Sequence, residues 1–337
     1  MSALPSDVTV LGGGTGTPKL LWGCESFIDT SSLTVIANTG DDVEFGDLFV
    51  CPDIDACLFT AAGRMDTDRW WGLADDTTEV ADSLTDYAEM LDIGTGPRYR
   101  PSDEQTEGRE LARWRRFEPL PEFMLFGDED RAIHRARAAA IDRGQSLTEI
   151  TRALVDGFDV EIDILPMSND PVATWIETPE SSLHFQDYWV ARRGDVHVES
   201  VEFRGIETAE PTDAVRDALS VDAIIIGPSN PVTSIGPILA LPGIREHLSS
   251  VPVIAVSPFL GADAFSGPAA ELMEARGLPV GTPGLPEVYP FVDAIILDDE
   301  DDTSLSTPTV QTDITIETQS DVGRIWDAIS AAIDILG

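Results

Sequence analysis

The sequence almost lacks lysine. Lys19 is the single lysine among 21 basic residues, and arginine supplies the rest. Against them stand 61 acidic residues, so the formal net charge at pH 7 is −40. A chain without a basic patch cannot neutralise the phosphates of nucleic acid, which argues against a nucleic-acid partner. The carboxylates are spread along the chain rather than gathered in a tail, which is typical of adaptation to high salt, and we expect a salt-accumulating source.

Cysteine and histidine are also scarce, with three and four residues. Their spacing forms neither a zinc motif nor a disulfide framework, which fits a reducing cytosol. No apolar run is long enough to cross a bilayer and no signal peptide opens the chain, so we expect a cytoplasmic protein without a membrane partner. With 337 residues, 42% of them hydrophobic, the chain can bury a substantial core, and we predict a single α/β domain over residues 1–337.

The most informative stretch is VTVLGGGTGTPKL, residues 8–20. An apolar run stops at three glycines, and Pro18 follows where the first turn of a helix accommodates proline. Glycines let the backbone approach a ligand, and the free amides at a helix start bind phosphate. The stretch matches neither the dinucleotide fingerprint nor the P-loop, so a plain strand-to-helix turn remains an alternative. The only lysine lies directly behind the loop, where its charge can meet a phosphate, and this favours a phosphate site.

A second apolar run, Leu33 to Ala37, ends in Asn-Thr-Gly-Asp-Asp at 38–42. Open parallel sheets bind ligands beyond the carboxyl ends of their strands, so polar residues here suit a binding site. Asp53 and Asp55 follow at the start of an apolar helix, where aspartates commonly act as helix caps. Together with the preceding turn they also suit Mg²⁺, which prefers hard oxygen ligands. From the residues alone, both interpretations stay open.

Strand and helix patterns alternate at both ends of the chain, which predicts a doubly wound, Rossmann-like parallel sheet. Residues 56–157 are mainly helical in pattern and are predicted to form an insertion after the second strand that contributes to the substrate site. Residues 160–208 alternate apolar and polar side chains, which predicts a β-rich segment with a hairpin that turns at Arg193-Gly194-Asp195.

Three features of the predicted insertion concern the site. Adjacent Trp70 and Trp71 cannot both face one core from a helix, so one of them either lines a pocket for a flat ring or packs in the ordinary way. The polar, arginine-rich stretch 95–121 predicts an exposed loop. His134, near the start of a later helix, is interpreted as a packing or surface residue rather than a ligand.

Seven segments occur together in one order: GGGTGTPKLLWG (12–23), NTGDD (38–42), PDIDACLF (52–59), RWWG (69–72), GDEDRA (127–132), GPSNPVTSIGPIL (227–239) and SPFLGADAFSGPAAELM (257–273). As a set they resemble the 2-phospho-L-lactate transferase family of coenzyme F420 biosynthesis, in a haloarchaeal version, over nearly the whole chain. The resemblance implies a magnesium-dependent enzyme that transfers a phospholactyl group from lactyl-diphospho-guanosine to the deazariboflavin Fo and releases GMP. It also implies a homodimer. Some relatives use an enolpyruvyl donor, and the sequence is compatible with either.

The resemblance implies roles for particular residues. Those expected at the diphosphate and guanosine of the donor are Gly13, Gly14, Thr15, Gly16, Lys19, Gly227, Ser229 and Asn230. Those expected at Fo are Asn38, Asp53, Asp55 and Trp70, with Asp55 matching the Fo contact of the family. Asp42 and Asp53 are expected to hold Mg²⁺. Asp55 and Asp42 are the expected catalytic carboxylates, which orient the attacking hydroxyl or accept its proton.

Two departures from the family pattern remove positive charge near the expected Fo site. Many relatives carry a basic residue two positions before the Gly-Asp pair, where this chain has Leu125. The usual Gly-Asp-Arg-Asp reads Gly-Asp-Glu-Asp at 127–130. We hypothesise that the neighbouring arginine-rich stretch supplies the missing contact through Arg109, Arg113, Arg115 or Arg116.

Two other functions compete with this prediction. A sister family with the same glycine loop and Asn-Thr-x-Asp turn binds nucleotide-sugars and regulates cell-wall metabolism without catalysis, but PDIDACLF and RWWG favour the transferase. A generic NAD-dependent oxidoreductase is the weaker alternative. The dinucleotide fingerprint is missing, and the Asn-Thr turn replaces the acidic residue expected after the second strand.

Overall fold

The apolar segments become strands, and the periodic segments between them become helices. The computed structural model describes residues 5–94, 96–99 and 115–336. In chain order the strands are β1 (Val8–Gly12), β2 (Leu33–Ala37), β3 (Val43–Phe45), β4 (Leu48–Val50), β5 (Arg116–Phe117), β6 (Asp163–Pro166), β7 (Ala173–Glu177), β8 (Ser182–His184), β9 (Ser200–Arg204), β10 (Ala223–Ile226), β11 (Val253–Val256), β12 (Phe259–Leu260), β13 (Asp263–Ala264), β14 (Ala294–Leu297) and β15 (Thr309–Gln311). The helices are α1 (Gly16–Leu21), α2 (Pro52–Ala61), α3 (Glu79–Met90), α4 (Asp128–Asp142), α5 (Leu147–Gly157), α6 (Asp213–Ala218), α7 (Gly236–Ala240), α8 (Ile244–Leu248), α9 (Ala269–Ala275), α10 (Leu285–Val288) and α11 (Gln319–Leu336). Within the described residues, none of these helices has both the length and the apolar composition that a membrane crossing needs.

Seven of the strands form one sheet, in the order β15-β14-β11-β10-β1-β2-β6. Every neighbouring pair in it is parallel. Its side chains alternate between two cores, so the sheet is buried on both faces. On β10, Ile225 packs with α1, α2 and α11, whereas Ile224 and Ile226 pack with the helices α6 to α10. Helices on both faces confirm the predicted doubly wound sheet.

The chain between β2 and β6 forms the helical insertion predicted after the second strand. It holds α2 to α5 and also an unexpected three-stranded sheet, in the order β4-β3-β5. The expectation of an exposed loop throughout 95–121 is wrong at Arg115–Phe117, which are buried. Phe117 stacks on Phe45 with ring centroids 5.4 Å apart, and both arginines pair with the buried Glu44. Aromatic packing and ion pairing thus draw this end of the stretch into the insertion.

Residues 160–208 contain β6 of the main sheet and a separate antiparallel sheet, in the order β8-β7-β9. The predicted turn at Arg193–Asp195 exists, with the Asp195 amide donating to the Arg192 carbonyl at 3.0 Å. It does not form the hairpin, because the antiparallel strands β7 and β8 are joined by a turn at Thr178–Ser181. The Thr178 hydroxyl closes that turn, because it accepts the Ser181 amide at 3.0 Å and donates to the Ser181 carbonyl at 2.7 Å. The chain before Arg193 forms a short helical turn, Asp187–Ala191, where the alternating pattern predicted a strand.

Gly16 lies where α1 meets the loop after β10. A Cβ atom built on Gly16 would lie 1.7 Å from the carbonyl oxygen of Pro228 and 2.5 Å from its carbonyl carbon. Both are backbone atoms, so no flexible side chain can turn away. Gly12 and Gly227 are restricted in a similar way, because a Cβ on either would meet the side chain of Thr17.

We expect Gly16→Ala to lower the free energy of unfolding by about 3 kcal/mol, because overpacking a tight contact costs about 1–3 kcal/mol and sometimes more. Gly157→Ala is the matched control. Gly157 ends α5, nothing lies within 4 Å of its Cβ position, and the change there should stay within about 1 kcal/mol. Chemical denaturation in molar potassium chloride measures both. Equal stabilities would contradict the tight packing of α1 against the Pro228 loop.

Candidate functional site

The carboxyl ends of β1, β2 and β10 meet at one edge of the main sheet. The chain passes from β1 to β2 on one side and later to β10 on the other, which makes β1 the point where the strand order reverses. Open parallel sheets bind ligands at this point. Four predicted segments come together there: the glycine loop 12–16, the Asn38–Asp42 turn, the start of α2 with Asp53 and Asp55, and the loop Gly227–Asn230.

Asp53 ties the glycine loop to the end of β2. Its two carboxylate oxygens accept hydrogen bonds from the backbone amide of Gly14 and from the side-chain amide of Asn38, each at 2.8 Å. The Asn38 oxygen in turn accepts the amide of Gly40 at 2.8 Å. A Cβ on Gly13 would lie 2.1 Å from an Asp53 oxygen, so glycine at this position serves the contact between the two loops.

Ser229 and Asn230 have their side chains engaged inside the protein. The buried Ser229 hydroxyl accepts the amide of Thr17 at 3.1 Å and donates to the carbonyl of Gly13 at 2.6 Å. The Asn230 oxygen accepts the amide of Val232 at 2.9 Å. Both residues therefore shape the glycine loop and its neighbour, and their expected contact with the donor stays a prediction.

Three buried aspartates concentrate negative charge at this edge. Burial raises the pKa of Asp42 to about 8, although the nearby Arg115 lowers it, and burial raises the pKa of Asp53 to about 6. Burial and repulsion from the other two also raise the pKa of Asp41. One oxygen each of Asp41 and Asp42 is buried without a hydrogen-bond partner among the described residues. A set of carboxylates with unpaired buried oxygens suits Mg²⁺, which takes oxygen ligands.

Arg115 and Arg116 are buried ion-pair partners rather than exposed cations. Arg116 Nη2 lies 2.9 Å from a Glu44 oxygen, and Arg115 Nε lies 3.4 Å from the other. Arg115 Nη1 also lies 3.9 Å from Asp42 Oδ2. Leu125 is 44% exposed. Of the arginines considered for the Fo contact, Arg109 and Arg113 lie outside the described residues.

Asp55 forms an ion pair with Arg137 from α4. Arg137 Nη1 donates to Asp55 Oδ2 at 3.0 Å, and its Nη2 donates to Oδ1. Asp130 and His134 lie beside the pair, and the ligand atoms of Asp55, Asp130 and His134 all lie within 4.8 Å of one another. Arg137 already supplies positive charge here, so this trio is a poorer cation site than the three aspartates.

Trp70 and Lys19 contact each other. Lys19 Nζ lies 5.2 Å from the centre of the Trp70 ring, and Trp22 meets the same ring edge-on at 5.2 Å. Partial burial lowers the pKa of Lys19. Trp70 is in a loop with φ of 60°, so the premise that it lies in a helix with Trp71 is wrong. The contacts of Trp70 match the packing alternative, and its contact with Fo remains a prediction.

The segment Gly127–Asp130 joins α3 and α4 by reciprocal capping. Asp128, in the first turn of α4, accepts the amides of Glu79 and Val80 at 3.2 and 3.1 Å, at the start of α3. Asp76, just before α3, accepts the amide of Asp130 at 3.0 Å. This part of the GDEDRA motif therefore has a structural role.

Sequence reasoning missed the partners of Asp55. Asp130, His134 and Arg137 follow the spacing i, i+4, i+7, which places them on one face of a helix. His134 was predicted to be a packing or surface residue, and it is a packing residue, buried against Phe126 with Asp55 and Asp130 beside it. Three polar residues at this spacing were the signal that could have identified a buried charged face.

The known proteins that are similar in sequence to this chain share one description. A sequence model of a family described as 2-phospho-L-lactate transferase CofD matches residues 8–326. A 2-phospho-L-lactate transferase from Haloarcula marismortui is 51% identical over 326 residues, which cover 97% of this chain and 98% of that protein. One from Methanococcoides burtonii is 41% identical over 297 residues, or 88% and 87% of the two chains. A crystal structure of a UPF0052 family protein from Bacillus halodurans matches with a TM-score of 0.59 at 16% identity, covering 98% of this chain and 99% of that one, which supports the fold alone.

The raised pKa of Asp42 predicts a pH dependence of stability. With a folded pKa of about 8 and an unfolded pKa of about 3.9, the folded chain binds one more proton than the unfolded chain between these values. The free energy of unfolding therefore falls as pH rises, by up to about 1.4 kcal/mol per pH unit. Asp42→Asn should remove this contribution.

The measurement is chemical denaturation of wild type and Asp42→Asn in buffer with chelator, between about pH 5.5 and 7.0, where the contribution of Asp42 is close to its full slope. Taking the difference between the two proteins cancels every other titrating group that the substitution leaves unchanged. Parallel pH profiles would contradict a raised pKa at Asp42.

Proposed function

Because the chain belongs to the CofD family of 2-phospho-L-lactate transferases and is therefore a transferase, we propose that it moves a 2-phospholactyl group from lactyl-diphospho-guanosine to a hydroxyl of the deazariboflavin Fo and releases GMP. One observation carries the proposal. A glycine loop at a helix start lies at the switch point of the sheet, next to buried carboxylates with oxygens that have no partner among the described residues. This combination suits a diphosphate donor with a divalent cation.

The donor occupies the glycine loop and the loop after β10 in this proposal. Gly14 and Thr15 are half-buried at the open side of the loop, and the half-buried Lys19 follows one turn into α1. The remaining donor residues are the ones predicted above: Gly13, Gly16, Gly227, Ser229 and Asn230. Since Ser229 holds the Gly13 carbonyl, its contribution is to keep the loop in shape for the phosphates.

Mg²⁺ would be held by Asp42 and Asp53. The raised pKa values of both carboxyls support this assignment, because a cation relieves the crowding of buried negative charge. Asp41 joins them as a third carboxylate at the same turn. The chemistry that Mg²⁺ supplies is neutralisation of the charge on the phosphate oxygens.

Asp55 orients the attacking hydroxyl of Fo. The hydroxyl oxygen forms a bond to the phosphorus that carries lactate, and the bond from this phosphorus to the bridging oxygen breaks. GMP leaves with that oxygen, and its phosphate takes up the proton of the hydroxyl. Each Asp55 oxygen accepts a hydrogen bond from Arg137 and keeps lone-pair capacity, with which it can accept a hydrogen bond from the hydroxyl and orient it. Asp42 is the second catalytic carboxylate, and Asn38, Asp53 and Trp70 complete the expected surroundings of Fo.

A second version of the same function is transfer from a donor that carries a different three-carbon acid. Lactyl and enolpyruvyl groups differ by few atoms, and a pocket discriminates such differences weakly. We also propose, from composition and the family resemblance, that the enzyme works as a homodimer in a salt-rich cytoplasm.

Turnover tests the proposal directly. We expect the chain, in molar potassium chloride with Mg²⁺, to convert Fo and lactyl-diphospho-guanosine to GMP and a phospholactylated deazaflavin, detected by mass spectrometry. Chelation should abolish the product, and added Mg²⁺ should restore it. Turnover only with an enolpyruvyl donor would replace the donor assignment. Tight binding of a UDP-sugar without binding of Fo would overturn the transferase in favour of a nucleotide-sugar regulator.

Lys19 provides a second test, aimed at the donor. Lys19→Met should raise the KM for the donor by roughly 10- to 100-fold, because a charge-assisted contact to phosphate contributes about 1.5–3 kcal/mol. Lys19→Arg keeps the charge and should lose less, and the KM for Fo should stay unchanged in both. An unchanged donor KM in Lys19→Met would show that the lysine only packs on Trp70.

A further inference from the structure

We infer that Asp130, His134 and Arg137 on α4 form a positioning relay that holds the Asp55 carboxylate of α2 in a single orientation. The inference rests on the proposed function, since it deepens the role of Asp55 at the acceptor. Nothing in the reaction requires these three residues to touch a substrate. They act through Asp55.

The relay is buried and lies on one helix face. Asp130, His134 and Arg137 are 5%, 2% and 1% exposed, and Asp55 is 5% exposed. The face of α4 that is turned toward α2 therefore carries charged side chains. Burying them costs desolvation free energy, which apolar side chains at the same positions would not cost. Such a buried charged arrangement is a costly way to pack two helices, which favours a role beyond packing.

Arg137 restrains Asp55 at several points. Its Nη1 group donates to the carbonyl of Phe49 and to Asp55 Oδ2, both at 3.0 Å, and shares one of its two hydrogens with His134 Nδ1 at 3.4 Å. Its Nη2 donates to Asp55 Oδ1. The planar guanidinium thus binds both carboxylate oxygens, and the carbonyl of Phe49 in the middle of β4 anchors it. A lysine has no such fork and cannot fix the plane of a carboxylate.

His134 fills the space between Asp130 and the ion pair. Its Nε2 lies 3.1 Å from Asp130 Oδ1, but this contact is not aligned as a hydrogen bond, and neither atom has a hydrogen-bond partner among the described residues. Its Nδ1 lies 3.4 Å from Arg137 Nη1 and 3.6 Å from Asp55 Oδ2. Phe126 meets the imidazole edge-on at 5.2 Å.

The contacts of His134 assign its tautomer. A neutral imidazole carries one donor and one acceptor nitrogen. A guanidinium has no acceptor, so in its 3.4 Å contact with Arg137 Nη1 the Nδ1 atom is the acceptor, and the ring proton lies on Nε2 beside the Asp130 carboxylate. The opposite tautomer would set a lone pair against Asp130 and a proton against Arg137. Asp130 therefore holds the tautomer in which His134 supports Arg137 and, through it, Asp55.

A fixed Asp55 has a direct use in group transfer. The hydroxyl of the acceptor must be aligned with the phosphorus, and small misalignments of a positioning group slow such reactions strongly. Loosening the relay should therefore lower kcat and raise the KM for Fo, with the donor KM unaffected. If the network were purely structural, its loss would lower the free energy of unfolding, and the kinetic constants for Fo and for the donor would change equally or not at all.

The kinetic test uses three variants and one matched control. We expect Arg137→Lys to lower kcat/KM for Fo by roughly 100-fold and His134→Gln or Asp130→Asn by roughly 3- to 10-fold, with the donor KM within twofold. His197→Gln is the control, because His197 is exposed on the far segment before β9. Wild-type kinetics toward Fo in all three variants, or equal effects on both substrates, would overturn the relay.

A double variant separates action through Asp55 from a general effect. On an Asp55→Asn background, His134→Gln should cause no further loss of kcat/KM for Fo, because the group it positions has been altered. An additional loss as large as in wild type would overturn the relay. If Arg137→Lys fails to fold, the double variant Asp55→Asn/Arg137→Met replaces it, because it removes both charges of the buried pair and leaves neither unpaired. If this double variant folds and keeps the wild-type kcat/KM for Fo, the inference is overturned.

A spectroscopic measurement keeps the inference testable if the proposed reaction fails. In protein labelled with ¹⁵N-histidine, the signals of His134, identified by their loss in His134→Gln, should be those of an Nδ1 atom without a proton and an Nε2 atom that carries one. Asp130→Asn should change that signal and leave the signal of His197 in place. Absence of product in wild type would refute the proposed function alone. A His134 protonated on Nδ1 would refute the relay.

Discussion

The carboxylate of Asp53 is the contact on which the candidate site depends. It accepts the amide of Gly14 and the side chain of Asn38, and so it sets the spacing between the glycine loop, the end of β2 and the first turn of α2. These parts come from separate elements of the fold. The proposed reaction needs a phosphate-binding loop and a set of carboxylates side by side, and a single aspartate holds the two together.

Buried carboxylates are the second constraint, and arginines of the insertion pair with two of them. Glu44 pairs with Arg116, and Asp55 pairs with Arg137, all of them within the chain between β2 and β6. Burying a carboxylate is costly unless it is paired, and the fork of arginine suits two carboxylate oxygens at once. One oxygen of Asp42 has no hydrogen-bond partner in the part of the chain that the structure describes, and burial raises the pKa of this carboxyl, which sets Asp42 apart from these paired acids.

Much of the fold followed from local pattern, and less of the site did. Apolar runs such as the one ending at Gly12 predicted the parallel sheet, because a strand buried on both faces reads as a continuous apolar segment. The glycine loop was located correctly, but the reason for two of the glycines was not. Gly16 lies against the backbone of Pro228 and Gly227 lies against the side chain of Thr17, so neither position has room for a Cβ atom. The strand β5 was missed, since two residues carry no periodicity, and the hairpin turn was misplaced because a threonine hydroxyl closes it elsewhere.

The sequence by itself determined the family, the order of the sheet-forming segments and the residues that gather at the carboxyl ends of the strands. Periodicity, glycines and the order of motifs are properties of neighbouring residues and can be read along the chain. Only the tertiary structure decided which charges meet. Asp55 and Arg137 lie 82 positions apart, and Glu44 and Arg116 lie 72 apart. Such pairings depend on how the insertion folds back onto α2 and β3, and among so many carboxylates no local pattern singles out the one that each arginine will neutralise.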